Sequence, residues 1–67
     1  MDTYEDELND IIADYERNMT IFKESYALAK LYPNDPTYTT SYIESKKNLT
    51  DLSQSLLDLN SRIQSSI

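Results

Sequence analysis

Cysteine, histidine, glycine and tryptophan are all missing from this 67-residue chain, and proline occurs only twice. Without cysteine there can be no disulfide and no thiolate metal site. Without histidine the commonest metal ligand and the commonest general base are gone, which leaves carboxylate chemistry alone. No long apolar run is present, so no membrane-spanning helix is expected. Basic residues are scarce: six Lys and Arg stand against twelve Asp and Glu, and the net charge is -6. Nucleic acid and anionic membranes both select for Lys and Arg clusters, so neither is an expected partner. The opening MDTYEDELND is acidic. It lacks the basic stretch and apolar core of a secretory leader, so a cytoplasmic location is expected.

What remains is a chain too short to bury much of its surface. Small domains without disulfides or metals usually depend on a partner for stability, so a binding partner is expected before any motif is considered.

Apolar residues in the first half fall at Tyr4, Leu8, Ile11, Tyr15, Met19, Phe22, Tyr26 and Ala29. Steps of three and four describe one face of an α-helix. Tyr4, Tyr15 and Tyr26 are spaced eleven apart. At about 3.67 residues per turn, that spacing runs nearly straight along the helix. In the second half Tyr42, Leu49, Leu56 and Ile63 hold one heptad position and Leu52 and Leu59 the other, with Ser45 and Ser66 as polar gaps; this is a coiled-coil type of seam. Because the two periods differ slightly, the packing is expected to be good in the middle and loose at the ends.

The punctuation between the halves is LYPNDPTY, residues 31–38. Tyr32 precedes a proline and is pushed out of helical geometry. Asp35 suits an N-cap, and Pro36 suits the first helical position. At the other terminus Asp2 or Thr3 is an N-cap candidate, with Glu5 or Asp6 in capping-box position. The expected architecture is all-α. It is one antiparallel, coiled-coil-like hairpin domain over 1–67, with helices at about 3–32 and 36–65 and a bend at 32–36, because so short a connection makes neighbours of the two helices. In this register, opposite positions have numbers summing to about 69, which sets Tyr26 against Tyr42 and Leu8 against Leu59 and Ile63.

Some residues fall outside the seam. Ile12, Ile21, Leu28, Ile43 and Leu57 belong either to a wider seam or to a second face that docks a partner, and they are the candidate partner-binding residues. The carboxylates Glu5, Asp6, Glu7, Asp10, Asp14 and Glu16 make the first quarter strongly acidic, and a solvated acidic face is expected of them. Asn18-Met19-Thr20 and Asn48-Leu49-Thr50 match the glycosylation triplet but read as polar helix surface. Lys46 and Lys47 are in position to pair with Glu24 across the hairpin. No catalytic, cofactor-binding or metal-ligating residues are expected, and the chain reads as a non-enzyme.

Two resemblances follow. The opening M-D-T-Y-E-D-E-L and the run Y-T-T-S-Y-I-E-S-K (Tyr38 to Lys46) resemble the small E-type co-chaperones of bacterial type III secretion. That family implies a helical hairpin that joins a chaperone of tetratricopeptide-repeat fold and, with it, keeps a needle subunit soluble and unpolymerised in the cytoplasm. Pro33-Asn34-Asp35-Pro36, together with Ser55, Asp58, Leu59, Ile63 and Ile67, is similar to the bend and tail of needle subunits themselves. This second resemblance implies a filament subunit, although the second helix is about two turns shorter than such a subunit would need. A third reading, a homodimeric four-helix bundle, requires no family at all.

Overall fold

The computed structural model describes residues 3–67, and these form two helices, α1 (Thr3–Leu31) and α2 (Pro36–Ser66). They pack antiparallel in a body 51 Å long, 18 Å wide and 12 Å thick. The all-α hairpin and its helix limits match the expectation drawn from periodicity to within a residue. Thr3 is the first residue of α1, while Asp2, the other N-cap candidate, lies outside the described residues. Glu5 and Asp6 occupy the first turn of α1 and Lys30 its last, each with the sign that the helix dipole favours.

The bend is built by local hydrogen bonds. The Tyr32 amide donates to the Leu28 carbonyl at 2.8 Å and closes the last turn of α1. The Asp35 amide then donates to the Tyr32 carbonyl at 3.1 Å. Asp35 is extended, with φ -92 and ψ 111, and its carboxylate accepts the Thr37 amide at 2.9 Å. Pro36 begins α2 at a position where a missing amide hydrogen has no consequence. The Tyr32 and Tyr38 rings meet in a tilted contact across the bend, with centroids 5.7 Å apart.

Burial only partly follows the expected tight middle and loose ends: Phe22, Leu49 and Leu52 in the middle are half-buried and Leu31, Tyr32 and Ile67 toward the ends are exposed, but the seam also has a covered anchor near the open end. Leu59, with 0% of its surface exposed, is the one fully covered apolar side chain among the described residues, and it lies toward the open end. That end is closed: the Tyr4 hydroxyl and Ser66 Oγ are 3.0 Å apart. In the middle, by contrast, Tyr15, Met19 and Leu56 keep 38–41% of their surface. A pair of helices has no third element to cover the margin of a wide stripe, so the residues there stay wet.

Near the bend the seam is made of small polar residues. Ser25 and Ser45 are buried. Ser25 Oγ donates to Ser41 Oγ across the hairpin at 2.9 Å, and Ser45 Oγ returns to the Tyr42 carbonyl at 3.0 Å. Ser45, expected as a polar gap, is therefore a seam residue whose hydroxyl is satisfied by its own helix.

Leu59→Ala is expected to lower stability by about 2–4 kcal/mol, because it removes the one fully covered apolar anchor. Leu57→Ala, at an exposed neighbour, is expected to change it by less than about 1 kcal/mol. Urea unfolding followed by circular dichroism measures both.

Candidate functional site

The two flanks of the seam differ in chemistry. At about 100° per residue, Tyr15, Met19, Phe22 and Tyr26 occupy one side of α1. They meet Tyr42 on α2: the Phe22 and Tyr42 rings stack with centroids 5.0 Å apart, and the Tyr26 and Tyr42 centroids are 5.8 Å apart. Lys30 Nζ lies 5.7 Å from the Tyr26 centroid. The same flank carries Leu49 and Leu56 farther along α2 and Ile12 farther along α1. Ile12, Tyr15, Met19 and Leu56 keep 38–43% of their surface, so the flank is an apolar face spanning both helices and open to solvent.

The opposite flank is polar and closed by specific pairs. Arg62 Nη2 stands 3.1 Å from Glu7 Oε2. That oxygen is covered by the guanidinium and has no aligned hydrogen bond, so the contact is ionic. With both side chains about half exposed, it contributes less than about 1 kcal/mol. The expected pairing of Lys46 or Lys47 with Glu24 is not seen among the described residues, where Arg62 pairs with Glu7 and Arg17 with Asp14. Farther along, Asn48 Nδ2 donates to Asn18 Oδ1 at 3.1 Å, and Asn18 Nδ2 donates to the Asp14 carbonyl at 2.9 Å. These asparagines, read from the sequence as plain polar surface, join the two helices. A shallow groove of about 330 Å³ runs along this flank, lined by Glu7, Asp10, Ile11, Ser55, Asp58 and Arg62. Among the described residues no group of three or more carboxylates converges as metal ligands do.

The five candidate partner-binding residues do not share one surface. Ile12 lies on the open apolar face. Ile21, two residues beyond Met19, points about 200° away from it, and Leu28 follows Ile21 at the next heptad step; Leu28 is half-buried and Ile21 exposed. Ile43 and Leu57, 59% and 60% exposed, lie on the back of α2: Ile43 is about 200° round the helix from the buried Ser45. Sequence reasoning assigned Tyr15, Met19 and Leu56 to hairpin building alone, yet these residues form the centre of the exposed face. The available clue was the polar character of Asn18, Ser25, Ser41 and Asn48, which marks the other flank as the closed one.

No helix among the described residues is long and apolar enough to cross a membrane. Comparison with family models, curated proteins and solved structures finds no match.

The open face is expected to bind an apolar fluorescent dye. Met19→Asp should lower the dye signal severalfold without loss of helicity, because the side chain is already wet in the hairpin. Ile43→Asp, on the back, should leave the signal unchanged. Dye titration alongside circular dichroism checks both outcomes.

Proposed function

We propose that this chain is a non-enzymatic co-chaperone that binds another protein through its open apolar face. In the finer form of the reading, its partner is a cytoplasmic chaperone of tetratricopeptide-repeat type, and the pair holds a type III secretion needle subunit soluble and unpolymerised. One observation carries the proposal: the row of Ile12, Tyr15, Met19 and Leu56 is left open beside a seam that fully covers a single apolar side chain. Contiguous apolar surface on a body this thin favours occupation by a partner. The resemblance of residues 1–8 and 38–46 to the E-type family supports the choice of partner.

The energetics suit this role. Tyr15 and Tyr26 offer large, stiff side chains, the kind that dominate protein interfaces. Their hydroxyls can stay hydrated at the rim while the rings pack. Met19 adapts to an irregular partner surface. One or two well-covered anchors of this kind suffice to offset the cost of immobilisation. The acidic surface disfavours a strongly acidic partner and leaves a neutral or basic one.

A filament reading has one observation in its favour: Ile43 and Leu57 are exposed on the back of α2, away from the open face, and a polymerising subunit needs more than one adhesive surface.

Co-expression with a tetratricopeptide-repeat chaperone and a needle subunit from one secretion system, followed by mass measurement, tests the proposal. The expected result is a stable heteromeric complex that Met19→Asp weakens at least tenfold and Ile21→Asp leaves intact. Recovery of the wild-type hairpin free of both proteins overturns the reading, and concentration-dependent growth of the isolated chain into long polymers replaces it with the filament.

A further inference from the structure

Beyond the co-chaperone reading, we infer that the open apolar face also docks a second copy of this chain, and that the two hairpins lie antiparallel, α1 on α1 and α2 on α2, as a four-helix bundle. Two observations carry the inference: the size of the face and the way charge is distributed along the hairpin.

A specific interface covers on the order of 800 Å² per partner. The open side of the hairpin, 51 Å long and 18 Å wide, is large enough to supply that area, and its central row is apolar. Face-to-face pairing about a two-fold axis has two solutions. An axis along the hairpin sets bend on bend and α1 on α2. An axis across the hairpin sets bend on open end and α1 on α1.

Charge decides between them. The half toward the open end, residues 3–17 and 51–67, carries eight carboxylates against Arg17 and Arg62. The half toward the bend, residues 18–50, carries Lys23, Lys30, Lys46 and Lys47 against three carboxylates. The parallel solution brings two strongly acidic ends together. The antiparallel solution sets each acidic end beside the lysine-bearing half of its neighbour; Glu7, Asp10 and Asp58 line the far flank and act through the net charge of the end, and avoidance of like-charge juxtaposition fixes orientation at such interfaces.

Side-chain register agrees. With the two-fold axis at Met19, midway along α1, Ile12 of one copy falls opposite Tyr26 of the other. Glu16 falls opposite residue 22, one position from Lys23. Glu16 and Lys23 are both exposed and lie at the outer edge of the face, so opposite charges meet at the rim while apolar side chains meet at the centre. Self-pairing and partner binding then use the same residues and exclude one another.

The test uses the isolated full chain, so it does not depend on the co-chaperone partner. Sedimentation equilibrium across a wide concentration range is expected to show twice the monomer mass. Lys23→Glu should weaken the dimer at least fivefold, and adding Glu16→Lys to that variant should restore it. Both substitutions are at exposed positions, and circular dichroism verifies that the hairpin is retained. Because the chain has no native cysteine, single introduced cysteines report the geometry with a short bis-maleimide. Met19→Cys should cross-link to its own counterpart and Asn34→Cys, at the bend, should not. A monomer at every concentration overturns the inference while leaving the co-chaperone reading standing. Cross-linking of Asn34→Cys without that of Met19→Cys overturns the antiparallel arrangement, as does a dimer insensitive to Lys23→Glu.

Discussion

Two helices alone can seal one line of contact, and the apolar stripes on this hairpin are wider than one line. A third or fourth helix would cover the margin; here there is none. The consequence is visible in the burial pattern. Leu59 is fully covered, the serines near the bend are covered because they are small, and the larger side chains of the middle stay partly wet. Each half-exposed aliphatic or aromatic residue realises only part of the roughly 1.5–3 kcal/mol that full burial provides. Any molecule that covered the margin would supply burial that the hairpin lacks.

The polar flank answers a different need. Apolar contact is non-directional, and beyond what the short bend fixes it does little to specify register. The Asn18–Asn48 pair, the Ser25–Ser41 contact and the Arg62–Glu7 ion pair hold only in one register. The Asn18–Asn48 bond is exposed on the flank, so it adds direction to the pairing and little to stability. The many hydroxyls of the helices are handled locally: Thr20, Thr50, Ser55 and Ser66 each donate to the carbonyl four residues back. Such bonds satisfy the hydroxyl without strengthening the helix. The helices therefore hold their shape through tertiary contact more than through intrinsic propensity.

These features explain what could be read in the sequence. The bend was legible because Pro33, Asp35 and Pro36 act through local stereochemistry that no tertiary contact overrides. The helices were legible because their apolar spacing admits no other period. The lateral position of the seam was not, because periodicity gives the direction of a stripe along a helix but not which of its edges is sealed. Tyr15 and Met19 share the spacing of Ile11 and Phe22 and differ from them only in angle. Ser25 and Ser45 were hidden for a related reason. A small polar residue within an apolar stripe reads as a gap, although it is also what allows two backbones to approach closely. Asn18 and Asn48 offered only their polarity as a clue, since thirty residues separate them and the bond forms only once the hairpin has closed.

The asymmetry between the flanks gives the molecule a consistent physical logic. A hairpin sealed equally on both sides would be a better monomer and a poorer binder. Sealing one side with pairs that depend on geometry leaves the other free to be apolar without losing the register. The acidic end then acts on what that face can meet. Fields from several carboxylates extend about 10 Å at moderate ionic strength, far enough to repel an acidic end approaching in parallel before any apolar contact forms. On the proposed reading, selection among occupants would begin with charge at the ends and finish with shape in the middle, where Met19 offers an adaptable side chain.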